Sequence, residues 1–108
     1  MTQPKNDDGF VVQEESGGYK CDGGKPRWEL VPWMELEDCV RVITFGAAKY
    51  DDDNWKLVAK LRYLGALARH LAKYMCGEIY DKETGLPHMA HIQCNALFIQ
   101  WKDRNGVS

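Results

Sequence analysis

Three stretches of 3.6-residue periodicity, each announced by a proline or a capping cluster, constrain this chain more than any other feature. Pro32 opens the first, because a proline suits a first helical turn, where its missing N–H has no bond to lose. Leu36, Val40, Ile43 and Ala47 then recur at helical spacing as one apolar stripe. Glu35, Glu37 and Asp38 fall in the early turns, where the helix dipole favours negative charge. The acidic run at 51–54 reads as a loop in which Asp53 or Asn54 caps the second helix. That helix is predicted from about Trp55 to Met75. Its inner face would be Val58, Leu61, Leu64, Ala68, Leu71, Ala72 and Met75, with Gly77 beyond its end. Turn-formers fill 79–87, and Pro87 opens a third helix with Met89, Ile92, Ala96 and Ile99 in register. It closes at Asn105–Gly106. No period-two alternation is long enough to argue a sheet, so the expectation is all-α: a small helical bundle of three to four helices.

With 108 residues there is room for one domain and a modest core. Residues 1–22 set Lys5 and Lys20 against Asp7, Asp8, Glu14, Glu15 and Asp22, with few aliphatics after Val12. They read as a flexible or extended N-terminal arm ahead of a helical domain at 23–108. A thin three-helix core would leave Trp33, Tyr63, Phe98 and Trp101 partly exposed. A homo-oligomer, dimer or dimer of dimers, would complete the bundle. The formal charge of −2 disfavours a general nucleic-acid binder. No apolar run approaches a membrane span, and the N-terminal residues lack a secretory apolar core. Cys21, Cys39, Cys76 and Cys94 stand far apart without a CxxC, which excludes a zinc ribbon and reads as reduced thiols in a cytoplasmic protein.

Three polar clusters carry chemistry. Glu35, Glu37 and Asp38 lie together on the first helix. Glu78 and Asp81 are three apart at the end of the second. His88, His91 and Asn95 share a face of the third, pointing inward or into a cleft. Each has a plainer role: first-turn acids suit the dipole, Glu78 and Asp81 suit a solvated loop, and a histidine suits a cap or a half-buried core position. Together they form a set that holds hard cations. Magnesium takes oxygen ligands and keeps several waters, and the histidines would admit manganese or zinc. A basic and aromatic group, Lys25, Arg27, Lys49, Tyr50, Asn54, Trp55, Arg69 and His70, suits a polyphosphate. Trp55 or Tyr50 could stack on a base, and Asn54 or Asn95 could bond its edge. Trp55 equally suits a core aromatic.

The strings GGKPRWELVPW (23–33), LEDCVRVITFGAAKYDDDNW (36–55) and ALARHLAKYMCGEIYDKETGLPHMAHIQCNALF (66–98) resemble the phage dATP/dGTP diphosphohydrolase N-terminal-domain family. That family is similar to the wider MazG-like all-α nucleoside triphosphate pyrophosphohydrolases. The resemblance implies an oligomeric all-α bundle with divalent metal, Mg2+ or Mn2+, cleaving a nucleoside triphosphate between its α- and β-phosphates. Glu78 and Asp81 match the ExxD element of the MazG-like pattern. Glu37 and Asp38 match its leading acids, and Arg41 stands where a third acid is expected, so that Glu35 or a histidine supplies that ligand or fewer metals bind. The resemblance thus implies Glu37, Asp38, Glu78 and Asp81 as metal ligands, with Glu37, Glu78 and Asp81 catalytic. Lys49, Asn54, Trp55, Arg69, His88, His91 and Asn95 would contact substrate. The scheme requires acids from separate helices to converge on one cation. Two other classes remain: a binding protein that sequesters a nucleotide or nucleotide-derived signal without cleaving it, and a helical interaction module with no small-molecule site.

Overall fold

The computed structural model describes residues 5–6, 9–13, 17–21 and 23–108. The chain divides into two units, 1–31 and 32–108. The second is all-helical: α1 (Trp33–Lys49), α2 (Lys60–Met75) and α3 (His88–Arg104), with a 3-10 turn at Asn54–Lys56. The first unit contains three short antiparallel strands that the sequence did not lead us to expect, in the order β1 (Lys5–Asn6), β2 (Gly9–Gln13), β3 (Tyr19–Cys21). Val11 pairs with Cys21 and Gln13 with Tyr19. Strands of two to five residues are too short for alternation to register, which is why the arm reads as merely extended. The remainder of the arm, at 1–4, 7–8, 14–16 and 22, lies outside the described residues.

Pro32 and Pro87 take the N-cap positions of α1 and α3 in extended conformation, as their fixed φ favours. Lys102 and Arg104 fall in the last turn of α3, where the dipole favours cations. The second helix starts later than its periodicity suggests. Asn54–Lys56 forms the 3-10 turn, Ala59 is extended, and α2 begins only at Lys60. The Lys60 amide donates to the Ser108 carbonyl at 2.7 Å, and its ammonium lies 2.8 Å from Asp103. These contacts tie the start of α2 to the end of α3, so the two run antiparallel.

The core forms where α3 is flanked by α1 and α2. Cys39, Cys94 and Phe98 are its buried centre, with Leu36, Val42, Ile43, Trp55 and Tyr63 packed on them. Trp55 stacks on Phe98 with centroids 4.3 Å apart and meets Trp101 edge-on. The Tyr63 hydroxyl donates to the Trp55 carbonyl at 2.7 Å, and burial pushes its pKa up to about 12. Phe98 is therefore core rather than half-exposed as expected; Trp55 covers it. Burying a ring of this size contributes roughly 1.5–3 kcal/mol.

Two helix faces differ from the expected ones. The inward stripe of α2 is Tyr63, Ala66, Leu67 and His70, and the expected inner residues Leu61 and Met75 are 76% and 75% exposed. On α3 the buried face is His88, His91, Cys94, Asn95, Phe98 and Lys102. The Met89–Ile92–Ala96–Ile99 stripe lies toward the other side. A polar face is buried because each of its groups finds a partner: the Lys102 ammonium donates to the Lys56 carbonyl and the Asn95 amide to the His91 carbonyl. No buried side-chain nitrogen or oxygen among the described residues is left without a hydrogen bond.

Candidate functional site: an acid and histidine cluster at the end of a helical cavity

The loop between α2 and α3 builds the site. Gly77, at φ +97°, ends α2 in a left-handed turn. Its amide donates to the Tyr74 carbonyl and that of Glu78 to the Lys73 carbonyl, the paired bonds of a Schellman motif. The helix does not continue across Gly77. This turn folds the chain back and delivers Glu78 to the first residue of α3, where His88 Nε2 lies 2.9 Å from Glu78 Oε1. The loop then closes on itself. The Asp81 amide donates to the Leu86 carbonyl, Tyr80 bridges Pro87, and Gly85 turns at φ +73°. Asp81 Oδ2 accepts from both the amide and the hydroxyl of Thr84, at 2.9 and 3.0 Å. Having given its proton to Asp81, the Thr84 hydroxyl accepts from His91 Nε2–H at 2.8 Å.

His70 completes the cluster from α2. Its ring stacks on His91 with centroids 4.3 Å apart, and its Nδ1 lies 2.8 Å from Nδ1 of His88. One ligand atom from each of His70, Asp81 and His88 lies within 4.8 Å of the others, a spacing that suits a metal ion. The electrostatics favour neutral rings at His70 and His91 and charged acids at Glu78 and Asp81. Burial, with the neighbouring histidines, holds His70 below its ordinary pKa against the pull of Asp81. Burial likewise lowers His91. The hydrogen bond from His88 holds the Glu78 carboxyl below the usual range. For Asp81 burial works upward, but the two bonds from Thr84 and the nearby histidines outweigh it and the net shift is down.

The cluster forms part of the wall of a cavity of about 340 Å³, within the range of small-molecule sites. His70, Asp81, Thr84, His91 and Asn95 line it together with Val42, Ile43, Phe45 and Gly46 of α1, Trp55, Phe98, and the polar Asp51, Asp52 and Asn54. It therefore joins apolar and aromatic walls to an acid and imidazole group. Trp55 is both core and pocket wall, since it stacks on Phe98 and also lines the cavity.

The structure thus brings together Glu78, Asp81, His88, His91 and Asn95, and adds Asn54 and Trp55 through the cavity. Other sequence candidates lie elsewhere. Glu37 pairs with Arg41 at 3.0 Å, both exposed, and stands two residues, about 200° of helix turn, from the buried Cys39. It points away from α3, so it does not share a cation with Glu78 within one chain. Asp38 falls on the stripe that continues through Val42 and Phe45 into the cavity wall, one turn short of it. Lys49 lies outside the lining and meets it through Glu83, 3.7 Å away, and through the ring of Tyr50. Arg69 is exposed on α2, also outside the lining. Sequence reasoning missed Thr84 and placed His70 in the polyphosphate group rather than in the acid and histidine cluster. The Asp–x–x–Thr–Gly turn is the signal for the first. The stripe Tyr63–Ala66–Leu67–His70, of which His70 is the polar end, is the signal for the second.

The fold and the site define a class: a helical domain with a small-molecule cavity whose wall carries carboxylates and imidazoles. Comparison with known proteins narrows this. The chain belongs to the dATP/dGTP diphosphohydrolase N-terminal family, which it matches over residues 15–108. A dATP/dGTP diphosphohydrolase of Salmonella phage PMBT28 is 36% identical over 84 residues, covering 78% of this chain. The matched part is 29% of that relative, so this chain spans less than a third of its length. No solved structure matches. No helix among the described residues is long and apolar enough to cross a membrane.

Proposed function

We propose that this chain hydrolyses purine deoxynucleoside triphosphates, dATP or dGTP, to the monophosphate and pyrophosphate. The observation that carries the reading is the union of an aromatic cavity with the Glu78–Asp81–histidine cluster at its wall. The name of the phage relative supports the substrate class. Phe45 and Trp55 offer rings to a base, and Asn54 and Asn95 offer amides to its edge. The triphosphate lies toward Asp81, Thr84 and His91.

The residues present suit a divalent cation. Two carboxylates held in their charged form give magnesium or manganese the oxygen ligands it needs, with water in the remaining positions. When bound, such an ion offsets phosphate charge and makes a coordinated water more acidic. The chain's own residues do the positioning. Glu78 fixes the tautomer of His88, Thr84 fixes Asp81 and His91, and Asn95 bonds back to the His91 carbonyl. His91 stands where it can hold a proton at Nε2 beside a phosphate oxygen. Asp38 is the first-helix acid on the pocket side; Glu37 would join the centre only from a second copy. Lys49 and Arg69 then act as outlying charges that attract the anion.

We further propose a homodimer or larger assembly in the cytoplasm of a phage-infected host. The exposed stripe of Leu61, Leu64, Leu71 and Met75 on α2 supports it. The test of function is a panel of nucleoside triphosphates with Mg2+ or Mn2+, followed by 31P NMR. Monophosphate and pyrophosphate from dATP or dGTP are expected. Bound but intact nucleotide would establish the sequestering alternative instead, and release of orthophosphate would overturn the cleavage position.

A further inference from the structure

The centre of the cluster places two imidazole nitrogens face to face, and this goes beyond an acid-only cation site. His88 is fully buried and gives Nε2–H to Glu78 Oε1. A neutral imidazole carries one N–H, so Nδ1 of His88 presents a bare lone pair. Facing that lone pair is Nδ1 of His70 at 2.8 Å, with an Asp81 oxygen in the same space.

We infer that His70, Asp81 and His88 bind one transition-metal dication of the manganese, cobalt or zinc type. This deepens the proposed function by giving the ion a different ligand set, in which Asp81 remains a ligand and Glu78 stands behind His88, and it rests on that reading for the ion's purpose alone, since binding needs only the cluster. Four observations support it. The ligands come from three elements, α2, the loop and α3, so the fold sets their convergence. Each of two has an outer partner that orients it: Glu78 behind His88 and Thr84 behind Asp81, the carboxylate–histidine–metal relay found behind metal-bound histidines. Two imidazoles and one carboxylate favour borderline metals over magnesium, which prefers an all-oxygen shell. Three protein ligands leave a position for water or a phosphate oxygen.

The proton count also closes. Without metal, His70 Nδ1–H donates to His88 Nδ1. With metal, both Nδ1 lone pairs turn to the ion and His70 carries its single proton at Nε2 instead, so binding by the neutral rings is a tautomer exchange with no net proton released. Metal–nitrogen bonds of about 2.0–2.1 Å in tetrahedral geometry set the two nitrogens about 3.3 Å apart, so the rings must part by roughly half an ångström. His70 sits on a helix face and is only half-buried, which leaves it room to move.

The experiment titrates Co2+ into the full chain and follows the visible d–d absorption, with calorimetry in two buffers of different ionisation enthalpy to count protons. One equivalent should saturate the band, Zn2+ should displace it stoichiometrically, and a hundredfold excess of Mg2+ should not. His70→Ala and His70→Gln, checked for fold by circular dichroism, should bind Co2+ at least tenfold more weakly. No saturable band in the wild-type chain, or an undiminished band in both folded variants, overturns the proposal. Should the variants fail to fold, Mn2+ broadening of histidine ring signals in the wild-type chain decides. Broadening centred on His70 and His88 supports the site, and broadening centred elsewhere overturns it. Turnover with Mg2+ in a chain that lacks the band would sink this site and leave the nucleotide reading standing. A stoichiometric band in a chain that cleaves no nucleotide would do the reverse.

Discussion

His70 and His91 are the residues whose protonation couples the cluster to stability. Both are held below the ordinary histidine value of 6.5, chiefly by burial, so the folded chain binds fewer protons at these rings than the unfolded chain does. Stability must then fall as pH drops through 6.5, because the unfolded state gains protons first. Glu78 and Asp81 are held low as well, and their contribution is lost below about 4.5 as they protonate. Both effects have the same sign. Urea midpoints measured from pH 8 down to pH 4 should decline, beginning near 6.5 and steepening below 4.5. A flat profile between pH 7 and 5 would contradict the neutral pair of His70 and His91.

At the scale of elements, the turn at Gly77 decides whether Glu78 reaches His88. An alanine there keeps φ +97° only under strain, while its Cβ meets nothing within 4 Å, so the penalty is one of backbone alone. Gly77→Ala should lower stability by about 1–2 kcal/mol in chemical unfolding. An unchanged midpoint would show that the turn is not held left-handed. The helices themselves were legible: Pro32, Pro87 and the Asn105–Gly106 stop place α1 and α3 within a residue. The polar face of His88, His91 and Asn95 was legible too, as a set turned inward. Which way α2 faces was not. Its most regular apolar stripe, Leu61 to Met75, is turned outward, and the inward stripe ends on His70. Periodicity reports that a helix has two faces, and the partner that covers each face is decided by packing. Glu37 misleads for the same reason. Its spacing from Glu78 carries no information about helix rotation, and the Arg41 four residues on takes its charge. The arm's short strands left no pattern to read.

The whole molecule leaves much apolar surface open on the helical unit, with Leu57, Leu61, Met34 and Met75 all at least three-quarters exposed. A single chain with α3 flanked by two helices has no further element in this unit to cover the α2 stripe. Sedimentation equilibrium should therefore show a dimer or larger species at micromolar concentration, and Leu61→Lys combined with Met75→Lys should return it to the monomer. A wild-type monomer across the concentration range would rule the assembly out.

Asp81 is where the cavity and the candidate metal cluster meet, since its carboxylate belongs to both. Asp81→Asn keeps an oxygen to accept the Thr84 bonds while removing the charge. The decisive measurement is kcat/KM for dGTP, or for whichever triphosphate the panel selects, in this variant against the wild-type chain. A fall of about 100-fold or more, with the fold retained, is the expected result. Activity within a few-fold of wild type would mean that the chemistry happens elsewhere.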